Sequence, residues 1–498
     1  MEGFPIISAI ILAPLIATVI LIFVNDKDHG LIHAIAVVAT TIPLVLSLYL
    51  LFAYDMVRGG YQFEENIPWV KSMGINYHVG VDGIGIAMVL LTAIVIFTAV
   101  FVSWKGITHR VKEHYIFLLL LVSGVFGVFT SLDLLCFYFF YELAVIPMYP
   151  LIGIWGSANR EYATMKLTLY LSLGAVFAML GILSIYFVAG AQTGHYTFDM
   201  VQLSQVAFDS GYQIKVFLPI LIGFGVLVPL APFHSWSPIG HAAAPSAVSM
   251  LHAGVLMKIG AYGILRVGMG LLPEGAVFWM PVVAILCLIN IFYGGMVAMH
   301  RKDMKFMVGY SSSSHMGYVL LGFATLNHIG VNGAVLLMFA HGIMTALAFS
   351  LIGFIYDQTH TRMMYDLRGL AGKLPFVAIA FAVMAFASSG LPGLANFVAE
   401  VMIFVGAFKD YPVQVVISVF MIIVTATYML RAIKNVFFCE EMERWDGVKD
   451  ATGFIEKFPF IILIAVLFIV GFYPSILLDI INSGVDTLLA RMPVLPPS

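Results

Sequence analysis

Residues 229–262 read PLAPFHSWSPIGHAAAPSAVSMLHAGVLMKIGAY. Pro229, Pro232, Pro238 and Pro245 interrupt an apolar run that carries His234, His241 and His252 and reaches Lys258. No other lysine or arginine lies between Lys215 and Arg266. Proline lacks a backbone N–H and clashes with the preceding turn, so this run cannot be one straight helix. In lipid, broken backbone persists only where protein or a watered cavity surrounds it. A broken helix beside an intramembrane lysine is how a polar path for ions is built.

The rest of the chain agrees with a membrane setting. Its 498 residues are 61% apolar and 10% charged, against about 25% charged in a soluble protein. Mean hydropathy is +1.01, and runs of about 20 apolar residues, long enough to span, recur from end to end. The expected fold is an all-α integral membrane protein with fourteen spans: 5–24, 31–53, 80–104, 114–130, 133–154, 163–189, 215–236, 244–271, 277–299, 304–325, 330–356, 375–408, 412–437 and 457–479. The first run lacks a basic leader and a small-residue cleavage site, so it reads as a span rather than a signal peptide. The net charge of −3 gives no basis for a nucleic-acid partner. Cys136, Cys287 and Cys439 are far apart and form no CxxC pair, so neither a disulfide framework nor a metal cluster is expected.

Lysine and arginine set the orientation. Connections 1–2, 3–4 and the other odd ones hold 17 of them; the even connections and the tail hold 6, and Lys258 completes the 24. Odd connections are therefore expected in the cytoplasm and both termini outside. A second regularity concerns the breaks. Span twelve is interrupted by SSGLPG at 388–393, and its 34 residues would measure about 51 Å as one helix against a core of about 30 Å. Broken spans seven and twelve are five apart. Spans 4–8 and 9–13 thus read as two inverted five-helix repeats, a pattern that points to a translocation site. The expected organisation is an N-terminal three-helix segment (1–112), two half-channel repeats (113–272 and 273–437) and a C-terminal helix and tail (438–498).

A charge at mid-membrane costs at least about 2.5–3.5 kcal/mol on insertion scales, so each one needs a reason. Glu142 lies about 14 Å of helix below Asp133, near mid-membrane; Lys258 is near the middle of span eight; Glu400 follows the break in span twelve with Asn396 one turn earlier. The structural reading makes each an ion pair or a packing hydrogen bond. Three together beside two breaks favour a proton relay, because burial disfavours the charged form of carboxylate and amine alike and lets both exchange protons. His315, in GYSSSSHMGYVL, and His341, in MFAHGIMTA, add groups that both donate and accept. The competing reading of each is a satisfied core histidine. His234 and His241 flank the break in span seven, with His252 just beyond it. Lys166, near the start of span six, reads as snorkelling first and relaying second. No Walker loop, dinucleotide turn or cluster motif is visible, so redox and nucleotide chemistry are expected in other chains.

HVGVDGIGIAMVLLT (78–92), FYELAVIPMYPLIGIWG (140–156), PFHSWSPIGHAAAPSAVS (232–249), LMKIGAYG (256–263), GYSSSSHMGYVLLG (309–322) and SGLPGLANFVAE (389–400) resemble the antiporter-like subunits of respiratory complex I, across spans 3–13. The IPMYPLIGIWG and NFVAE versions are most similar to the subunit M branch, the relatives of mitochondrial subunit 4. The resemblance implies a fourteen-helix proton channel in the membrane arm of an NADH:quinone oxidoreductase. FMN, iron–sulfur clusters and quinone would then sit in partner subunits, with none in this chain. It implies Glu142 as the span-five glutamate, Lys258 as the central lysine, Glu400 as the glutamate by the outward exit, and His315 and His341 on the path between them. It also implies antiporter-like subunits on either side and a bacterial or archaeal cytoplasmic membrane. The family's largest such subunit carries a long lateral helix after this core; here the chain stops about twenty residues past span fourteen, which argues against that subunit.

One position departs from the pattern. Where the family has a lysine seven residues before the histidine of span seven, this chain has Leu227, and Lys215 is about 18 Å of helix away. The aspartate usual in the next segment is also missing; it reads SPIGH. Glu142 thus lacks its expected partner, and His234 or His252 is expected to take part of the missing lysine's role. Three other functions remain open: a subunit of a multi-subunit cation/proton antiporter, of a membrane-bound hydrogenase-type complex, or a structural spacer with a weakened pump.

Overall fold

The computed structural model describes residues 4–157, 159–440 and 443–493. The end of the expected tail, 494–498, lies outside them, as do residues 441–442 within the last connection. The described chain is almost entirely helical. In order come α1 (Ile6–Phe23), α2 (His29–Ala53), strands β1 (Gln62–Val70) and β2 (Ile75–Val81), α3 (Gly83–Gly106), α4 (Val111–Thr130), α5 (Leu134–Val145), α6 (Met148–Trp155), α7 (Arg160–Thr193), α8 (Met200–Leu203) and α9 (Ser210–Leu227). Then follow α10 (Trp236–Ala243), α11 (Ser246–Leu251), α12 (Met257–Gly263), α13 (Pro273–His300), α14 (Met304–Ala324), α15 (His328–Thr359), α16 (Met364–Leu367), α17 (Pro375–Ser388), α18 (Ala395–Ala407), α19 (Pro412–Phe437), α20 (Phe454–Phe472) and α21 (Ser475–Leu489).

The starts of these helices are written in the sequence. An aspartate or asparagine stands before many apolar runs, and its side chain accepts from the first turn. Asp82 caps α3, Asp133 α5, Asp209 α9, Asp303 α14 and Asn327 α15. Pro273, Pro375 and Pro412 open α13, α17 and α19, where a missing N–H has no cost.

Among the described residues twelve helices are long and apolar enough to cross a membrane, α5–α6 and the α11–α12 run each counting as one. Fourteen spans were expected. The serines at 311–314 give α14 a polar composition, and the break divides span twelve into α17 and α18, each too short to qualify alone. In α15 and across 246–269 the most apolar window is wholly buried, and in α3 nearly so. These form the inside of the molecule. By contrast α1, α2, α7, α13, α19 and α20 each leave an apolar face uncovered, as expected where lipid or a neighbouring subunit covers them.

Two elements differ from expectation. The 54–79 connection is an antiparallel hairpin, β1–β2, turned at Gly74 with φ 65°. It is held to the neighbouring helix ends by side-chain contacts that no local pattern announces, among them Ser8 with Tyr77 and Asp133 with the Asn76 N–H. Span fourteen stops at Phe472 rather than 479, because Pro474 forces the chain out of helix before α21 begins. The segment 438–493 therefore holds two long helices, and α21 packs on α3 and α15. A Cβ on Gly83 would collide with the Ile480 carbonyl, so glycine is what lets α21 lie this close.

Candidate functional site

Two interruptions position the site. α9 ends at Leu227, and the chain resumes as a 3-10 turn, Phe233–Ser235, before α10. Side chains satisfy the backbone groups this break frees. Asn290 on α13 accepts from the Ala231 N–H and donates to the Pro229 carbonyl, both at 2.7 Å. The Trp236 indole donates to the Val226 carbonyl at 2.9 Å. Irregular backbone can persist in lipid only on such terms. Asn290 was not singled out from the sequence; the available signal was a lone amide in an apolar 28-residue helix.

The second interruption separates α17 from α18. Gly390 (φ +66°) and Gly393 (φ +92°) take conformations that disfavour any side chain. Ser388, the last residue of α17, has its carbonyl freed there and turned to His315 Nε2, 3.2 Å away. A Cβ on Gly390 would stand 2.5 Å from Glu400 Oε2, so the break also shapes the pocket of that carboxylate.

Between the interruptions runs a continuous buried line. Lys258 is 0% exposed and its Nζ donates to the Ala253 carbonyl at 2.5 Å. That carbonyl lies in the π-helical turn His252–Leu256, where the regular α ladder is interrupted. The same Nζ is 2.8 Å from His341 Nδ1. The His341 and His315 rings are 5.1 Å apart. His315 Nδ1 faces the Ser311 carbonyl at 2.8 Å, and its Nε2 lies 3.7 Å from Glu400 Oε1. Three acceptors thus surround two ring nitrogens, and a neutral imidazole carries one N–H to share among them. Glu400 itself is 3% exposed, and the side-chain amide of Asn396, one turn earlier, makes no hydrogen bond among the described residues.

The arrangement brings together an amine, two imidazoles and a carboxyl, all groups able to exchange protons. Residues 131–426 match the family described as NADH:quinone oxidoreductase/Mrp antiporter, TM. This chain belongs to that family. The F(420)H(2) dehydrogenase subunit M of Methanosarcina mazei is 35% identical over 491 residues, covering 98% of each chain. The NADH-quinone oxidoreductase subunit M of Rickettsia bellii is 34% identical and aligns with 98% of this chain and 99% of its own. Among solved structures, a chain of respiratory complex I from Thermus thermophilus with bound NADH superposes with a TM-score of 0.87 at 27% identity, covering 97% of this chain and 99% of that one.

The remaining candidates of this family member stand apart from the line. Glu142 on α5 is half-buried beside the Tyr138 hydroxyl, on a face that also leaves Phe139 and Ile146 exposed. It points towards the edge of the subunit. Leu227 is 0% exposed, filling with hydrocarbon the place where the resemblance implies a cation. Lys166 lies between the rings of Tyr162 and Tyr170, and Tyr170 in turn bonds Ser235 beside His234.

His241 and His252 form a pair of their own. Their rings are 4.3 Å apart, and His252 also stacks on Trp236. His241 Nε2 meets Ser237 at 3.0 Å, whereas both nitrogens of His252 make no hydrogen bond among the described residues. Among the described residues no three His, Cys, Asp or Glu side chains gather as a metal-holding group.

Proposed function

We propose that this subunit moves protons across the membrane as part of a complex I-like redox assembly. The observation that carries this is the buried line Lys258–His341–His315–Glu400, every member at most 3% exposed and ending at a helix break. In this reading Lys258 is the central store. His341 and His315 pass the proton along, and Glu400 releases it through the gap between α17 and α18. His241 and His252 feed the store. Electron transfer drives the cycle from partner subunits, which hold the flavin, clusters and quinone. Each proton moved against 100 mV requires about 2.3 kcal/mol.

The names of the relatives support the redox setting, and the likeness to a chain of respiratory complex I supports neighbouring membrane-arm subunits. Glu142, at the edge of α5, is placed to act across such a contact. We assign the odd connections to the cytoplasm and both termini to the outer face of a bacterial or archaeal membrane, following the charge bias. The fourteen spans, the inverted repeats and the four-part division at 1–112, 113–272, 273–437 and 438–498 belong to the same proposal, with the last part revised to two helices. His234 or His252 replaces part of the missing cation's role, and Lys166 is placed to assist through His234.

Leu227 favours a second reading, a spacer subunit whose pump is weakened. Glu400→Gln in the intact complex separates the two. The pumping reading expects fewer protons moved per electron with electron transfer retained under a protonophore. An unchanged ratio favours the spacer.

A further inference from the structure

The line described above needs a source of protons, and a second polar feature lies on the side towards which the odd connections face. A cavity of about 220 Å³ opens between the ends of α3, α6, α10, α11, α14 and α15, enough for several waters at about 30 Å³ each. Lys305, Asp357, Arg362 and Ser103 contribute its polar lining, and the α10–α11 turn at Ala244–Ser246 forms its floor. Lys305 is the unusual member. It is counted with the loop cations in sequence, yet in the fold it is 4% exposed, pulled inward because Asp303 caps α14 two residues earlier. Its Nζ donates to the Ala244 carbonyl at 2.7 Å. Ser249 donates to that same carbonyl and to the carbonyl of His241, at 3.2 and 2.9 Å.

Lys305 therefore joins the cavity to the α10–α11 backbone, and the Ser249 hydroxyl carries that contact on to the backbone carbonyl of His241. His241 is 0% exposed, and its Nδ1 has no hydrogen-bond partner among the described residues. Arg362 braces the junction without joining it: it pairs with Asp303 at 3.3 Å and donates to the Ala242 carbonyl at 2.6 Å. A buried amine that lines a cavity wide enough for water, and whose carbonyl acceptor is shared with a hydroxyl reaching His241, has the position of a loading group, not of a surface anchor.

We propose that this cavity is the cytoplasmic proton vestibule of the subunit and that Lys305 is its proton-loading residue. The Lys305 ammonium releases one proton through intervening water to Nδ1 of neutral His241. The amine left behind takes one from cavity water, replenished at the mouth by Asp357. His241 then passes its proton towards Lys258. The proposal rests on the pumping reading and adds where, and through which side chain, protons arrive.

Proton uptake per electron, measured on the intact complex in vesicles with the cytoplasmic face outward, tests it with Lys258→Ala as the reference. Lys305→Ala and Lys305→Arg are both expected to lose the same increment as Lys258→Ala, since arginine keeps the charge but does not release a proton. If Lys258→Ala lowers the ratio while Lys305→Arg keeps it at the wild-type value, Lys305 is a structural cation and the proposal is overturned. If Lys258→Ala itself changes nothing, the pumping reading fails instead, and the vestibule's role falls with it. A second measurement is independent of folding at Lys305. Ile107 lines the cavity, so Ile107→Cys in a Cys439→Ser background is treated with a membrane-impermeant cationic thiol reagent. Labelling from the cytoplasmic face alone, with uptake per electron lowered by the same increment as in Lys258→Ala, is expected. Labelling from the outer face, or labelling without loss of uptake, overturns the assignment.

Discussion

At the scale of single residues, the positions that matter are those where geometry leaves one choice. Gly390 is such a position. Its φ of +66° already disfavours a side chain, and a Cβ there would press on Glu400 Oε2. Gly390→Ala is therefore expected to cost about 1–2 kcal/mol in backbone strain alone and to displace the carboxylate from His315. The expected outcome is an assembled complex with a lowered thermal midpoint and a reduced proton-to-electron ratio. A variant with normal midpoint and ratio would show that the break does not shape the Glu400 site. Residue type along the chain singled out Glu400, Lys258, His315 and His341, because intramembrane titratable groups are rare enough to stand out, and the fold brings these four side chains together. Lys305 was hidden for the opposite reason. Near a connection a lysine looks like an ordinary topological charge, and only the packing of α10, α11 and α14 buries it.

Elements show the same division between local and tertiary causes. Both broken helices were legible, since proline and glycine act through their own backbone. How the break in span seven is held was not: Asn290 lies about 60 residues away in sequence and reaches it only through packing against α9. Asn290→Leu leaves the Ala231 N–H buried and unpaired, at a cost of about 1–3 kcal/mol. A lower midpoint of thermal inactivation is expected, together with faster hydrogen exchange at 230–236; exchange identical to wild type would contradict the bracing role.

The β1–β2 hairpin offers a pH test. His78 on β2 bonds Asp199 at 2.9 Å and Glu64 at 3.1 Å. Burial alone would lower the His78 pKa, but the two carboxylates outweigh it and hold the pKa above its ordinary 6.5. Burial likewise acts to raise Asp199, and His78 with the backbone donors at Val201 and Gln202 holds it below 3.8. The stability His78 contributes is complete below 6.5 and is lost as pH rises through its raised pKa. The contribution of Asp199 is present above 3.8 and fades as pH falls through its lowered pKa. Amide exchange in 62–81 is therefore expected to accelerate, beyond its intrinsic rate, as pH climbs past neutrality. His78→Gln should abolish that extra acceleration, and a variant that retained it would remove the histidine from the explanation.

For the whole molecule, composition and charge bias were enough to predict a helical membrane protein, and motifs across spans 3–13 were enough to suggest its family. The hairpin escaped because its stability comes from surfaces it covers; α21, whose apolar residues recur at 477, 480, 481, 485 and 488, escaped because span fourteen was read through Pro474. Glu142 could be placed in depth from sequence but not in direction. That it faces the subunit edge while Lys258 faces the interior is a property of helix packing. The molecule thus combines a closed interior line with an edge carboxylate and wide uncovered apolar faces, a form suited to one member of a row of subunits. Its central claim is that the interior line carries protons. The most direct test is the proton-to-electron ratio of the intact complex carrying Lys258→Ala, with electron transfer measured in parallel under a protonophore. Electron transfer retained with fewer protons moved per electron is the predicted result, and an unchanged ratio in the assembled variant would contradict the account.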